Sequence, residues 1–166
     1  GIELTELYQD AMANTPREYP AEIQTMEEVM KELMVHNLQK KLGADAGVEE
    51  LIDGLFENET SIDRNLKQSD ERYKMYVLSN SERLYGAGAM LYPHLLQSFA
   101  DKLQTDVYIL PSSVHETILI PDDGCQSKEE LLAMVSEIND TQVDPEEVLA
   151  YAVYYFERKS GEIAML

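Results

Sequence analysis

Two apolar runs typical of β-strands flank a short polar turn in the stretch Val107-Tyr108-Ile109-Leu110-Pro111-Ser112-Ser113-Val114-His115-Glu116-Thr117-Ile118-Leu119-Ile120-Pro121. The bend, which we name the 112–116 turn, carries two hydroxyls, an imidazole and a carboxylate, on Ser112, Ser113, His115 and Glu116. Buried strands on both sides hold such a turn rigid at the surface. We therefore predict either that these side chains bond within the turn and fix the register of the hairpin, or that a ligand or partner contacts them.

The chain before this stretch predicts another hairpin and a helix. Met75-Tyr76-Val77-Leu78 and residues 85–91 are extended runs separated by turn residues. Gly86 and Gly88 fall in the second run, where small residues are expected to make room for a helix packed across the sheet, with the close approach of a ligand or of another backbone as the alternative. Residues 93–103 show the apolar spacing of an amphipathic helix, with a proline in the first turn.

Two more helices are predicted after the stretch. Residues 127–138 begin with the capping box Ser127-Lys128-Glu129-Glu130. Residues 144–161 begin with Asp144-Pro145-Glu146-Glu147, which supplies a cap, an early proline and acids at the positive end of the dipole. The order from residue 73 onward is then ββαββαα. We expect an α+β fold in which about four antiparallel strands carry helices on one face.

Residues 1–72 are expected to form a mainly helical part that packs with residues 73–166 as one domain of a longer protein. Thr25-Met26-Glu27-Glu28 is a capping box, and the methionine-rich face of residues 26–34 is expected in the core, with a protein-binding groove as the alternative. A shorter helix is predicted over residues 48–56 and a loop over residues 57–71. The opening Gly1, directly before a helical pattern, indicates a tag remnant or an excised domain.

Composition narrows the classes of function. With 166 residues, 44% of them hydrophobic, the chain can bury a sizeable core. Its 13 basic and 32 acidic residues give a net charge of −19, which disfavours binding to nucleic acid or anionic membranes. The single Cys125 excludes an internal disulfide, and no apolar run resembles a membrane helix or a signal peptide. We expect a cytoplasmic protein with a protein or small-molecule partner, and self-association remains possible.

Catalysis at the 112–116 turn is the alternative to binding. A hydrolase would use Ser113 as nucleophile and His115 as base, with Ser112 and Glu116 as further candidates. Ser113 and His115 share one face of an extended chain, but their Cβ atoms lie roughly 6–7 Å apart in such a chain and Glu116 points the other way. The sequence also lacks a nucleophile elbow and a phosphate-binding glycine motif. These features favour a non-enzymatic reading.

No metal or cofactor is expected from the pattern of potential ligands. His36, His94, His115 and Cys125 are single residues without the spacing of a zinc site. Pro121-Asp122-Asp123-Gly124 is typical of a turn and lacks the spacing of a calcium loop.

Asn80 follows the first predicted strand, where its side chain is suited to cap a turn or to contact a ligand. Our leading interpretation is a non-enzymatic intracellular binding or regulatory domain. In it, Asn80, Ser112, Ser113, His115 and Glu116 engage a protein or a small ligand.

Four stretches of the chain resemble a known family. They are residues 75–80, 86–92, 109–116 and 143–148, and Pro111-Ser112-Ser113-Val114-His115-Glu116 is the most specific among them. The pattern is similar to an uncharacterised domain-of-unknown-function family of gut Clostridia and related Firmicutes, over nearly the whole chain. The resemblance implies longer intracellular bacterial proteins in which this chain is the C-terminal half. It implies no activity.

Overall fold

The computed structural model describes residues 2–43, 47–62 and 74–166. The contacts between its residues divide the chain into two compact units. The first unit combines Gly1–Ile23 with Met75–Leu166, and the second is Gln24–Lys74. The expected packing of the helical part and the mixed part into one domain stays a prediction.

The second unit contains two helices that contact each other, α2 (Met26–Leu42) and α3 (Val48–Ile62). The capping box predicted for α2 is confirmed, because Thr25 Oγ1 accepts a hydrogen bond from the Glu28 amide (3.2 Å) and Glu28 Oε2 accepts one from the Thr25 amide (2.7 Å). The helix ends at Gly43, whose φ of +95° suits glycine.

Two expectations for this unit differ from the structure. Of the methionine-rich face, Val29 is buried, whereas Met30, Leu33 and Met34 are exposed. Helical spacing identifies a shared face without showing what covers it. The predicted loop over residues 57–71 begins too early, since α3 continues to Ile62, and residues 63–71 lie outside the described part of the chain.

The first unit is built on one six-stranded antiparallel sheet, where about four strands were expected. The strands follow the spatial order β1-β2-β4-β3-β5-β6. Their bounds are β1 Ala21–Thr25, β2 Tyr76–Asn80, β3 Val107–Leu110, β4 Thr117–Pro121, β5 Tyr154–Glu157 and β6 Glu162–Met165. The central hairpin predicted from the opening stretch is confirmed, with Tyr108 opposite Ile120 and Leu110 opposite Ile118.

The same unit contains three α-helices: α1 (Leu4–Glu18), α4 (Leu95–Leu103) and α5 (Lys128–Gln142). The helices predicted here are confirmed, and α5 begins at the expected capping box of Ser127 and Glu130; α4, however, begins at Leu95, so Pro93 precedes it and is not in its first turn. Helix α4 packs on the sheet through an apolar core that includes an edge-to-face contact between Tyr76 and Phe99, with ring centroids 5.0 Å apart. This core fixes the strands whose ends carry the site.

The strand predicted over residues 85–91 is wrong, because Gly86–Leu91 forms a 3₁₀ helix. Arg83 and Tyr85 adopt left-handed backbone angles (φ 52° and 51°), which turn the chain away from the extended direction. The small side chain of Ala87 is buried, and its amide bonds the Val114 carbonyl (3.3 Å). Tertiary contact with the 112–116 turn therefore overrides the local extended pattern.

The last helix predicted over residues 144–161 is also wrong, and the order ββαββαα with it. The segment begins with one turn, in which the Glu147 amide bonds the Asp144 carbonyl (2.8 Å), and then forms the hairpin of β5 and β6. Tyr154, Tyr155 and Phe156 are aromatic residues with a preference for strands, and β5 pairs along β3. This pairing stabilises the strand more than local helical spacing stabilises a helix.

Candidate functional site

The 112–116 turn lies at one end of the central hairpin and is fastened to the chain before β5. The Leu149 amide donates to the Ser112 carbonyl and the Val114 amide to the Glu147 carbonyl, both at 2.9 Å, so Ser113 pairs with Val148 as an isolated antiparallel bridge. Four main-chain groups are thereby satisfied without a regular strand. These bonds attach the turn to a second segment of the chain, and its rigidity stays a prediction.

The two serines of the turn are buried. Ser113 is 7% exposed, and its Oγ accepts a hydrogen bond from the His115 amide (3.0 Å). Ser112 is buried as well. A hydroxyl that bonds its own turn in this way stabilises the bend and is poorly placed to attack a substrate. Glu116 is exposed at the end of the turn.

Both ring nitrogens of His115 are engaged. The Tyr85 amide donates to Nδ1 (3.1 Å), and Nε2 lies 3.2 Å from Glu147 Oε1. Because Nδ1 accepts a bond, the proton of the neutral ring sits on Nε2, where it is donated to the carboxylate. The Tyr85 and His115 rings are also in contact, with centroids 5.6 Å apart.

The geometry therefore does not bring the proposed nucleophile and base together. His115 bridges Tyr85 and Glu147, and the hydroxyl of Ser113 bonds a main-chain amide. A hydrolase of this type needs a serine hydroxyl within hydrogen-bond reach of the imidazole. The turn supplies an arrangement that holds neighbouring segments in place.

Asn80 caps the loop that follows β2. Its Oδ1 accepts hydrogen bonds from the amides of Glu82 and Leu84, both at 3.2 Å, and its Nδ2 donates to the Leu84 carbonyl (2.9 Å). The side chain is buried and uses both its acceptor and its donor on this loop. Of the two roles considered for Asn80, turn capping is the one that these bonds perform.

Loop 81–85 and the 112–116 turn are locked to each other. Ser79 Oγ donates to the His115 carbonyl (2.8 Å), next to the bond between the Tyr85 amide and the His115 ring. At Gly86, an added Cβ would lie 2.1 Å from Ser79 Oγ and 2.6 Å from the His115 carbonyl oxygen, so only glycine fits. Room for a helix across the sheet was the favoured explanation for Gly86, and the structure shows the alternative, the close approach of another backbone segment.

The locked loop presents two large apolar residues to solvent. Leu84 is 56% exposed and Tyr85 is 70% exposed, between the left-handed Arg83 and the tightly packed Gly86. Left-handed backbone is costly for residues with large side chains. The hydrogen bonds of Asn80 and His115 maintain this strained and exposed arrangement.

Beside this loop lies an apolar cleft of about 350 Å³, which we name the Tyr85 cleft. One wall is formed by α1 and the residue after it, and the other by the loop and the 3₁₀ helix. Its principal lining residues are Met12, Pro16, Tyr19, Leu84, Tyr85, Leu91 and Tyr92. Asn80 also lines it, and none of the described lining residues is charged.

Tyr92 joins the two walls of the Tyr85 cleft by a hydrogen bond. Its hydroxyl donates to the Tyr19 carbonyl just beyond α1 (2.8 Å). Burial raises the pKa of the Tyr92 phenol above its ordinary value of 10.0, so this side chain stays neutral. The cleft is thus a preformed apolar surface with few polar groups, as small-ligand and peptide sites are.

Sequence reasoning missed Leu84, Tyr85 and the wall contributed by α1. The available signal was a leucine and a tyrosine between turn residues and the sterically required Gly86, where large apolar side chains have no core to enter. Of the predicted contact residues, Asn80 lines the cleft, whereas Ser112, Ser113, His115 and Glu116 do not.

Over residues 2–43, 47–62 and 74–166, no group of three or more His, Cys, Asp or Glu side chains is placed to hold a metal ion. In the same ranges, no helix has both the length and the apolar character needed to cross a membrane. Cys125 is a free, exposed thiol.

Comparison with protein families identifies the chain. The model of DUF5688, a family of unknown function, matches residues 1–158, and the chain therefore belongs to this family. The match confirms the resemblance to an uncharacterised domain of unknown function, which brings no activity with it. Neither the search of curated proteins nor that of solved structures found a match.

Proposed function

We propose that this member of DUF5688 is a non-enzymatic binding module whose Tyr85 cleft receives an apolar group of its ligand. The observation that carries the proposal is an exposed pair, Leu84 and Tyr85, on a strained loop that lines an uncharged cleft of about 350 Å³. Exposed apolar side chains grouped around a preformed cavity mark binding surfaces more often than isolated ones do.

The hydrogen bonds behind the loop support the proposal. A loop with two left-handed, non-glycine residues would relax if nothing held it, yet Asn80 and His115 fix it from the side away from solvent. Fixing the loop before binding lowers the entropy that is lost when a ligand binds. In this proposal Ser113, His115 and Glu147 are positioning residues, and the lining side chains make the contacts.

The proposal also covers the class of partner and the cellular compartment. A net charge of −19 disfavours nucleic acids and anionic membranes, which leaves proteins and small molecules. A bacterial cytoplasm is proposed as the setting, supported by the single cysteine and by the family resemblance.

Titration with Nile red, a neutral apolar fluorophore, tests the proposal. We expect saturable binding that the double variant Leu84→Ser/Tyr85→Ser weakens about tenfold or more, because burying each of these side chains contributes roughly 1.5–3 kcal/mol. Both residues are exposed, so circular dichroism is expected to show an intact fold.

The matched control is Met165→Ser/Leu166→Ser, which removes two exposed apolar side chains at the end of strand β6, neither of which lines the cleft. It is expected to bind Nile red as the wild type does. Equal binding by the wild type and the Leu84→Ser/Tyr85→Ser variant would refute the proposal.

A further inference from the structure

We infer that the ring of His115 is a proton switch for the Tyr85 cleft. The cleft binds its ligand while the ring is neutral, and protonation of the ring releases Tyr85 and weakens binding. The inference rests on the proposed function and adds its regulation. It starts from the hydrogen bond between loop 81–85 and the His115 ring, in which the Tyr85 amide nitrogen lies 3.1 Å from Nδ1.

The geometry of this bond requires a neutral ring. A main-chain amide carries one proton and only donates, so Nδ1 must accept the bond and cannot carry a proton itself. On the other side of the ring, Nε2 lies 3.2 Å from Glu147 Oε1 and holds the one ring proton there. A charged imidazole carries a proton on both nitrogens. Two N–H groups would then face each other between His115 and Tyr85, and their hydrogen bond would be lost.

The ring can exchange protons with solvent at moderate pH. The His115 side chain is 27% exposed, and an imidazole ordinarily changes its charge between about pH 5 and pH 8. Its two contacts act in opposite directions. The Glu147 carboxylate stabilises the protonated ring, whereas the Tyr85 amide stabilises the neutral ring. The two forms therefore differ in which neighbouring segment the ring holds.

The other ionisable side chains near the ring belong to the segments that pack around the 112–116 turn. They are Glu82, Arg83 and Tyr85 in loop 81–85, Glu116 in the turn, and Asp144, Glu146 and Glu147 in the segment before β5. The 3₁₀ helix Gly86–Leu91, which also bonds the turn, contributes no ionisable side chain. Carboxylates, phenols and guanidinium groups ordinarily titrate below about pH 5 or above about pH 9. Between these values the imidazole is the group in this set that changes its charge.

Loss of the bond to His115 would free the exposed end of the loop. Tyr85 has a left-handed backbone (φ 51°), which is costly for a large side chain, and it lines the cleft while 70% exposed. The bonds between Asn80 and the loop, and the bond from Ser79 to the His115 carbonyl, do not involve the ring. Protonation should therefore displace Tyr85 from the wall of the cleft and leave the rest of the fold in place.

Nile red titrations of the full chain at about pH 8 and about pH 5.5 measure the effect. We expect the dissociation constant to be about fivefold larger at the lower pH, as the loss of one ordinary hydrogen bond implies. Nile red is uncharged at both pH values, so the change reports on the protein. Circular dichroism is expected to show the same fold at both.

Three variants assign the change to the ring. His115→Asn can still accept the Tyr85 amide bond but has no titrating group, so its affinities at the two pH values should be equal. His94→Asn is the matched control and should keep the fivefold change. It replaces an exposed histidine outside the cleft lining, at a left-handed position (φ 63°) that asparagine tolerates. Glu147→Gln removes the charge that stabilises the protonated ring, so the change should occur at lower pH.

A measurement without ligand tests the switch itself. In the isotope-labelled wild type, nuclear magnetic resonance follows the Tyr85 amide proton and the His115 ring protons as the pH is lowered from about 8 to about 5.5. We expect both signals to change with the same midpoint, and the Tyr85 amide signal of His115→Asn to stay constant. A His115 ring that titrates while the Tyr85 amide signal does not change would overturn the inference.

The outcomes separate this inference from the proposed function. If Nile red binding needs Leu84 and Tyr85 but is the same at both pH values, the binding site stands and the switch is wrong. A fivefold change that persists in His115→Asn would assign the titration to another group and overturn the inference. If Nile red binds at neither pH, the proposed function is refuted and the inference fails with it.

Discussion

Gly86→Ala tests how the 112–116 turn and the loop beside the cleft are joined. The new Cβ would meet Ser79 Oγ at 2.1 Å, the His115 carbonyl oxygen at 2.6 Å and the Asn80 amide nitrogen at 2.7 Å. Two of these three atoms belong to the main chain, so rotation of one side chain does not relieve the overlap. Either the loop or the turn must move.

The expected cost follows from three contributions. Overpacking costs about 1–3 kcal/mol, and loss of the bond from Ser79 to the His115 carbonyl costs about 1 kcal/mol. Alanine also lowers the conformational entropy of the unfolded chain, which stabilises the folded state by about 0.4–1 kcal/mol. We expect a net loss of about 1–3.5 kcal/mol, which lowers Tm by roughly 2–14 °C for a chain of this size.

Urea unfolding followed by circular dichroism measures the loss, with Gly88→Ala as the control. A Cβ at Gly88 meets nothing within 4 Å, although this residue lies in the same 3₁₀ helix. Its replacement is expected to change stability by less than about 0.5 kcal/mol. Adding Ser79→Ala to Gly86→Ala removes the nearest atom and should recover part of the loss. Equal stabilities for the Gly86→Ala and Gly88→Ala variants would refute this account of the packing.

Two further predictions concern His115 and the capping boxes. An asparagine at position 115 can place its side-chain oxygen near the position of Nδ1, so we expect His115→Asn to keep the bond from the Tyr85 amide and to bind Nile red. A glutamine can place its side-chain amide near the position of Nε2. We therefore expect His115→Gln to keep only the contact with Glu147 and to bind Nile red more weakly. The reverse order of affinities would contradict the role given to Nδ1. The main-chain amides and hydroxyls of the capping boxes lower the pKa values of Glu28 and Glu130 below 4.5. The stability that the two ionised carboxylates add is therefore present above about pH 4.5 and is lost as the pH falls through the lowered pKa values. Replacing both with glutamine keeps the caps, and urea unfolding between pH 5.5 and pH 3 should then show a shallower loss of stability than in the wild type; an unchanged pH dependence would argue against the capping role.

The elements whose pattern lies wholly among residues close in sequence were predictable. The central hairpin has two β-type runs around a polar turn, and α2 and α5 begin at capping boxes whose reciprocal hydrogen bonds involve residues three apart. Such signals depend on neighbours in the chain, and tertiary contacts do not oppose them here.

The errors occur where distant contacts decide the backbone. Residues 85–91 have an extended pattern, but the bond from the Tyr85 amide to His115, 30 positions later, stabilises a left-handed residue before Gly86. Residues 144–161 start like a helix, but Tyr155 pairs with Tyr108, so β5 joins the sheet. Neither partner is visible in the local sequence.

The candidate site was predictable only in part. The capping role of Asn80 and the bond from the His115 amide to Ser113 Oγ follow from turn chemistry. The exposed pair of Leu84 and Tyr85 does not, because the cleft forms between α1 and a segment more than 60 residues away in the chain. Burial of Ser113 likewise depends on the bridge to Val148 and not on the turn itself.

The most direct test of the central claim is a map of amide chemical-shift changes in the isotope-labelled protein as Nile red is added. The account predicts that the changes concentrate on α1 and on Leu84, Tyr85 and Leu91, with smaller changes at His115 behind the loop. Changes concentrated instead on Glu116 and the exposed end of the 112–116 turn, with α1 and Tyr85 unaffected, would contradict it.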